Sequence, residues 1–128
     1  MAPPLHSVSL VIPVYNERES LEPLMAEVLP VIRALGRPVE VVFVDDGSSD
    51  GSLEVLESLA AANAEVRVVV LRRNFGKGAA LMAGFRTATG DAVVTLDADL
   101  QDDPGEIPAM LALLEDGADL VSGWKADR

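Results

Sequence analysis

The chain has 128 residues, 49% hydrophobic and 4% aromatic, enough for one domain with a Val-, Leu- and Ala-rich core and too few for two. Its formal net charge of −11 argues against a nucleic-acid or anionic-membrane surface, since either needs clustered Lys and Arg. There are no cysteines, which excludes disulfides and thiolate metal sites and fits a reducing compartment.

The N-terminal "MAPPLHS" has no basic region and no apolar run of signal-peptide length. No apolar segment approaches the ~20 residues of a membrane span, so the chain as given is expected to be soluble. The first strand is predicted at "VSLVIPV" (8–14), and "YNE" follows it. A helix is predicted from about Ser20 to Leu35, with Leu21, Leu24, Met25, Val28, Leu29 and Ile32 at helical spacing. Ser20 is its candidate cap, Pro23 is harmless in the first turn, Pro30 should kink or break it, and Gly36 should stop it.

The second strand, "VEVVFV" (39–44), leads into "DDGSSDG", and a helix over about 51–63 follows with Asp50 as candidate cap. The third strand, "VRVVVL" (66–71), leads through "RRNFGKG" into a small apolar helix, about 77–89. The fourth strand, "DAVVTL" (91–96), runs into "DADLQDD", then a helix over about 104–116 with Pro104 at its favoured first position. "DLVS" (119–122) reads as a fifth strand. The strand runs are nearly continuously apolar, as in strands covered on both faces. The order βαβαβαβαβ with right-handed crossovers gives an open parallel α/β sheet with helices on both faces.

In such a sheet everything that follows a strand gathers at the carboxyl edge, where ligands bind. The segments after the strands are rich in charge and turn formers, whereas those before them ("PLHS", "GRP", "NAE") are bland. "DDGSSDG" can be an ordinary turn and helix start. Two adjacent carboxylates at a strand end usually face different tasks, which singles out Asp46. "NFGKG" resembles a phosphate cradle: Gly76 and Gly78 allow close backbone approach, the helix start favours anions, and Lys77 adds charge. It is neither a dinucleotide fingerprint nor a P-loop.

"DADLQDD" can be a solvated acidic loop, and it does not fit an EF-hand. If the chain leaves the strand extended, Asp97 and Asp99 face one side and Ala98 the other. With the amide oxygen of Gln101 they would form a hard-oxygen site for Mg²⁺ or Mn²⁺ that leaves positions for ligand oxygens. A metal there would also let an acidic protein bind a diphosphate.

"VSLVIPVYNERESL", "VVFVDDGSSDGS", "LRRNFGKGAALMAGFRTATGD" and "TLDADLQDDPGEIP" resemble, in order and spacing, the N-terminal half of family 2 glycosyltransferases. These have the GT-A fold, a Rossmann-like nucleotide-diphospho-sugar transferase architecture with a mostly parallel sheet. "DADLQDDP", supported by "RNFGKGAAL" and "VSGWKADR", is most similar to the polyprenyl-phosphate branch, which includes dolichyl-phosphate mannose synthases and undecaprenyl-phosphate glycosyltransferases. The resemblance spans residues 7–128.

It implies that Pro13, Tyr15 and Glu17 line the base and ribose pocket. Val44 and Asp46 would hold the base, with Asp46 accepting from a ring N–H. Asp97, Ala98 and Asp99 would lie along the sugar diphosphate, with Asp97 and Asp99 as the catalytic carboxylates and Asp97 orienting the sugar or Lys77. Asp99 and Gln101 would bind the Mg²⁺ or Mn²⁺. Lys125 falls where the family usually carries an arginine near the phosphates, keeping the charge without the bidentate fork.

The implied activity is inverting transfer from a UDP- or GDP-linked sugar to a polyprenyl phosphate. The acceptor is already anionic, so no strong base is needed, and the single histidine, His6, precedes the first strand at the wrong edge. The expected location is the cytoplasmic face of a membrane, contacted through segments beyond residue 128. The chain then reads as one donor-binding domain, 1–128, truncated at its C-terminus. A donor-binding fragment without turnover and a family 2 transferase with a saccharide hydroxyl acceptor remain open. A receiver-like signalling domain is disfavoured, because its acidic pair follows the first strand.

Overall fold

The computed structural model describes residues 7–100 and 103–115, with side chains to Leu113. Its strands are β1 (Val8–Val14), β2 (Val39–Asp45), β3 (Val66–Val70) and β4 (Ala92–Thr95). Its helices are α1 (Arg18–Arg33), α2 (Ser52–Ala62), α3 (Lys77–Thr87) and α4 (Ile107–Glu115), the last entered by a 3₁₀ turn over Pro104–Glu106. The expected strand 119–122, together with His6, Gln101 and Lys125, lies outside the described residues.

The four strands form one parallel sheet in the order β3-β2-β1-β4. Alternation splits each strand between two apolar layers. Val8, Leu10, Ile12 and Val14 of β1, with Val41 and Phe43 of β2, enter a larger core that also holds Leu21, Leu24 and Val28 of α1, Leu56 of α2 and Ile107 and Met110 of α4. Val11, Val42 and Val44 meet Ala80 of α3 on the opposite face. Helices therefore cover both faces, as expected. α3 lies close against its face: a Cβ on Gly84 would come within 2.4 Å of Val11 Cγ1.

Two expectations for α1 need correction. The helix starts at Arg18, so Ser20 lies inside it and Pro23 falls in the second turn. The reason is a cap supplied from elsewhere in the chain. The N–H of Glu17 donates to Ser52 Oγ at 3.0 Å and that of Arg18 to Asp50 Oδ2 at 3.2 Å, which satisfies N-terminal donors that a local cap would otherwise serve. Nor does Pro30 break the helix, which continues to Arg33. Both prolines are exposed, as are Glu19 and Ala26, whose carbonyls they leave without a helical partner. Water can satisfy those carbonyls, so the cost is small.

Between β3 and β4 the chain crosses back over the sheet, which places a topological switch point between the carboxyl ends of β1 and β4. Pro13 opens a gap there. In β1 the even-numbered residues bond to β2 and the odd-numbered ones to β4, as the Asp46 N–H to Val14 O (2.8 Å) and Leu96 N–H to Val11 O (3.1 Å) bonds show. Pro13 therefore faces β4 without an N–H to donate, and it cannot extend that ladder. The register with β4 ends at the Val11–Thr95 pair, while β2 remains paired to Val14. The chain beyond Leu96 is thus free to leave the sheet.

Candidate active site at the switch point

The gap is an open cleft of about 340 Å³ lined by Pro13, Val14, Tyr15, Glu17, Asp46, Asn74, Gly76, Lys77, Asp97, Ala98 and Asp99. That is the size range of small-ligand sites. Every lining residue comes from the carboxyl edge. The sequence reading placed nine of them at the site: Pro13, Tyr15, Glu17, Asp46, Gly76, Lys77, Asp97, Ala98 and Asp99. Val44 does not line the cleft; its side chain is fully buried in the layer beneath α3. Asn74 was missed. It sits within the quoted "RNFGKG" segment, but only the fold shows that it borders the cleft.

Three clamps shape the walls. In the first, Asn16, at φ 52°, donates its N–H to Ser48 Oγ (2.9 Å) and accepts from the Ser49 N–H (2.8 Å), fixing the loop that carries Tyr15 and Glu17. The second is Asp50, which accepts from the N–H and hydroxyl of Ser52 at 3.0 and 2.6 Å. It caps α2 from one position before the Gly51 N-cap and also anchors Arg18. "DDGSSDG" is therefore a turn and helix start, as its bland reading had it, and also the brace for the loop after β1.

The third clamp is Asp46, 3% exposed. Its two oxygens accept the N–H groups of Phe75 (2.8 Å) and Gly76 (3.0 Å). This modifies the phosphate-cradle reading, because those amides hold an internal carboxylate. The first turn of α3, from Lys77, has no side-chain cap and keeps its preference for anions. Gly47 makes the approach possible: at φ +76° it packs so that a Cβ would lie 2.4 Å from the backbone of Arg73 and Asn74. The neighbouring Asp45 is 2% exposed, and its Oδ1 has no hydrogen-bond partner among the described residues.

Across the cleft, Lys77 Nζ donates to Asp97 Oδ1 at 2.5 Å. Asp97 and Asp99 both line the cleft, but not by extended alternation. β4 ends at Thr95, residues 98–99 form a turn, and Leu100 takes φ 66°. Ala98 is buried in the larger core, and this anchors the turn between the two carboxylates.

Glu17 faces them. Burial first, then repulsion by Asp99 with smaller contributions from Asp50 and Asp97, pushes its carboxyl above the usual range. The corner gathers the carboxylates of Glu17, Asp97 and Asp99 beside Lys77. Its donors are carboxylate oxygens, which suit a hard divalent cation. Among the described residues no three His, Cys, Asp or Glu converge to hold an ion by themselves.

A parallel sheet with helices on both faces and an acidic cleft at its switch point defines a nucleotide-diphospho-sugar transferase fold of the GT-A type. Residues 9–127 match the family described as glycosyl transferase family 2, and the chain belongs to that family. It is 47% identical over 125 residues to an undecaprenyl-phosphate 4-deoxy-4-formamido-L-arabinose transferase of Pectobacterium carotovorum subsp. carotovorum (strain PC1), a match covering 97% of this chain and 38% of that protein. The protein of the same name from Pseudomonas savastanoi pv. phaseolicola (strain 1448A / Race 6) is 48% identical over 126 residues, covering 98% and 37%. The chain therefore spans little more than a third of the length of these relatives, which fall in the polyprenyl-phosphate branch that the motifs resemble.

Among solved structures, the mannosyltransferase PcManGT from Pyrobaculum calidifontis, in complex with GDP-Man and Mn²⁺, superposes with a TM-score of 0.62 at 32% identity. That match covers 76% of this chain and 28% of the other. S. aureus TarS 1-349 superposes with a TM-score of 0.63 at 25% identity, covering 86% and 32%.

Proposed function

We propose that the chain is the donor-binding part of a glycosyltransferase that moves a sugar, with inversion, from a nucleotide-diphosphate sugar to a polyprenyl phosphate at the cytoplasmic face of a membrane. The observation that carries this reading is the meeting of Glu17, Lys77, Asp97 and Asp99 in one cleft at the switch point. The names of the relatives support the lipid-phosphate acceptor, and the GDP-Man and Mn²⁺ bound by PcManGT support a nucleotide-sugar donor and a divalent ion.

Tyr15 and Pro13 offer a wall for base and ribose. The uncapped first turn of α3 and Lys77 face the diphosphate. Asp99, with Gln101 as the expected second ligand, would hold Mg²⁺ or Mn²⁺; when bound, that ion supplies charge stabilisation to the departing nucleoside diphosphate. In the transfer an acceptor phosphate oxygen bonds to the anomeric carbon from the face opposite the leaving group. The bond from that carbon to the diphosphate oxygen breaks, and its electron pair leaves with the nucleotide. The acceptor enters already ionised, so the chain need not supply a strong base. Asp97 accepts from Lys77, and donor phosphate would compete for the same ammonium.

Donor binding without turnover is the alternative reading. Calorimetry with UDP- and GDP-sugars, with and without Mn²⁺, tests the first claim. Asp99→Ala should lower metal-dependent donor affinity about 10- to 100-fold, the range of one charge-assisted contact. Unchanged affinity would remove Asp99 from the site. A parallel turnover assay with polyprenyl phosphate, and with a saccharide hydroxyl acceptor, separates the readings.

A further inference from the structure

The net charge of −11 argues against an anionic-membrane surface for the molecule as a whole, but that charge is unevenly distributed. Between Glu65 and Asp91 there is no acidic residue, although the chain holds 21 of them. That interval carries Arg67, Arg72, Arg73, Lys77 and Arg86, half of the ten cations. Arg67 is spent on Glu40 at 2.9 Å and Lys77 on Asp97. Arg72, Arg73 and Arg86 are exposed and make no ion pair among the described residues.

α3 and the loop before it also expose large apolar side chains. α3 turns Ala80 and Gly84 to the sheet and Met82, Phe85 and Arg86 outward, at i, i+3 and i+4. Met82 is 51% exposed and Phe85 38%. Phe75, just before the helix, is 52% exposed, and the Arg73 guanidinium lies 4.9 Å from the centre of its ring. The carboxylates nearest the far end of α3 are engaged: Glu40 accepts from Ser9, Thr89 and Arg67, and Asp91 accepts the Ser7 N–H. Single exposed apolar residues are ordinary. Arg86 shares the outer face of α3 with Met82 and Phe85, and Arg72, Arg73 and Phe75 stand just before the helix; exposed cations and large apolar side chains with no acid in the interval fit a helix that lies on a bilayer.

We propose that the outer face of α3, with Arg72, Arg73 and Phe75 at its start, docks on a bilayer containing anionic phospholipid. Charge complementarity picks this occupant. An anionic surface repels the rest of the molecule and attracts this strip, so the attraction also orients the protein. Lys77 belongs both to α3 and to the cleft, so a bilayer along the helix brings the mouth of the cleft to headgroup level, where a lipid phosphate would be met. That last step rests on the proposed lipid-phosphate acceptor; the docking itself does not.

The test is co-sedimentation of the chain with vesicles of phosphatidylcholine mixed with phosphatidylglycerol, and with phosphatidylcholine alone, at low and high salt. Binding to the mixed vesicles only, weakened by salt, is expected. The double variant R72A/R86A should lower partitioning about 25-fold, roughly fivefold per arginine. Met82→Ser should lower it further, with circular dichroism and donor binding unchanged in both variants. Equal retention by both vesicle types, or no effect of R72A/R86A, would overturn the proposal. So would a soluble dimer that Met82→Ser dissolves while no vesicles bind, since the face would then belong to a second copy. Vesicle binding without donor binding would condemn the proposed function and leave the docking face standing; the opposite result would do the reverse.

Discussion

Glu17 and Glu40 sit at opposite ends of the same sheet and titrate in opposite directions. At the amino edge, burial alone would raise Glu40, but hydrogen bonds from Ser9, Thr89 and Arg67 outweigh it and bring the carboxyl down to about 2. At the carboxyl edge, burial and the nearby Asp99 raise Glu17, and a hydrogen bond from Ser20 offsets only part of this. The amino edge satisfies its charges internally, as a scaffold does. The carboxyl edge holds a carboxylate in an environment that disfavours its charge, which is where ligand sites concentrate.

Asp46 is the carboxyl-edge residue that behaves like scaffold, and breaking it should have the largest effect. Asp46→Ala leaves the N–H groups of Phe75 and Gly76 without their acceptor. Two charge-assisted bonds are lost, so urea titration should show a stability loss of about 3 kcal/mol. Amide exchange at Phe75 and Gly76 should quicken. If Asp46 instead serves mainly a nucleobase, donor affinity would fall with little change in stability. Comparing the two measurements therefore separates the clamp from the base contact that the family resemblance implies.

The scaffold was the legible part. Continuous runs such as "VSLVIPV" and "VEVVFV" mark strands covered on both faces, and their spacing around helical patterns leaves few alternatives to a parallel sheet. Its carboxyl edge then brings Tyr15, Asp46, Lys77 and Asp99 together with no further information. The clamps were not legible. Asn16 with Ser48, Glu17 with Ser52 and Asp46 with Phe75 join residues about thirty positions apart, and a linear reading assigns each member only its local turn or cap preference. That is why the start of α1 was placed at Ser20 and why Asp46 read as a free ligand. Val44 was carried to the site by its motif, whereas alternation along β2 turns its side chain toward α3.

Glu40→Gln should cost about 2 kcal/mol near neutral pH, because a buried hydroxyl and an arginine lose a charged acceptor. Donor affinity should not change, since the residue lies at the far edge. The acid response gives a sharper readout. A carboxyl lowered from 4.5 to about 2 contributes stability that is fully present above 4.5 and is lost as pH falls toward about 2. The wild type should therefore lose stability through that window by more than Glu40→Gln does, and urea midpoints at a series of pH values would show it. Parallel curves would mean that Ser9, Thr89 and Arg67 do not hold the charge.

Glu17→Gln should produce the smallest change, with the opposite sign. A carboxyl raised above its ordinary 4.5 is less stable ionised in the fold than out of it. Its penalty is absent at low pH and grows as pH rises through 4.5 and the raised value. Near neutral pH the neutral amide avoids that penalty, so the empty protein should gain about 0.5 kcal/mol, at the scale of a partly exposed position. Thermal unfolding with Mn²⁺ and a nucleotide sugar then sharpens the contrast. If the carboxylate corner is disfavoured because it lacks a cation, the bound pair should stabilise wild type more than Glu17→Gln, and the order of the two melting temperatures should reverse. If the variant is stabilised equally, the charge on Glu17 belongs to the scaffold and the two edges differ only in how completely they are paired.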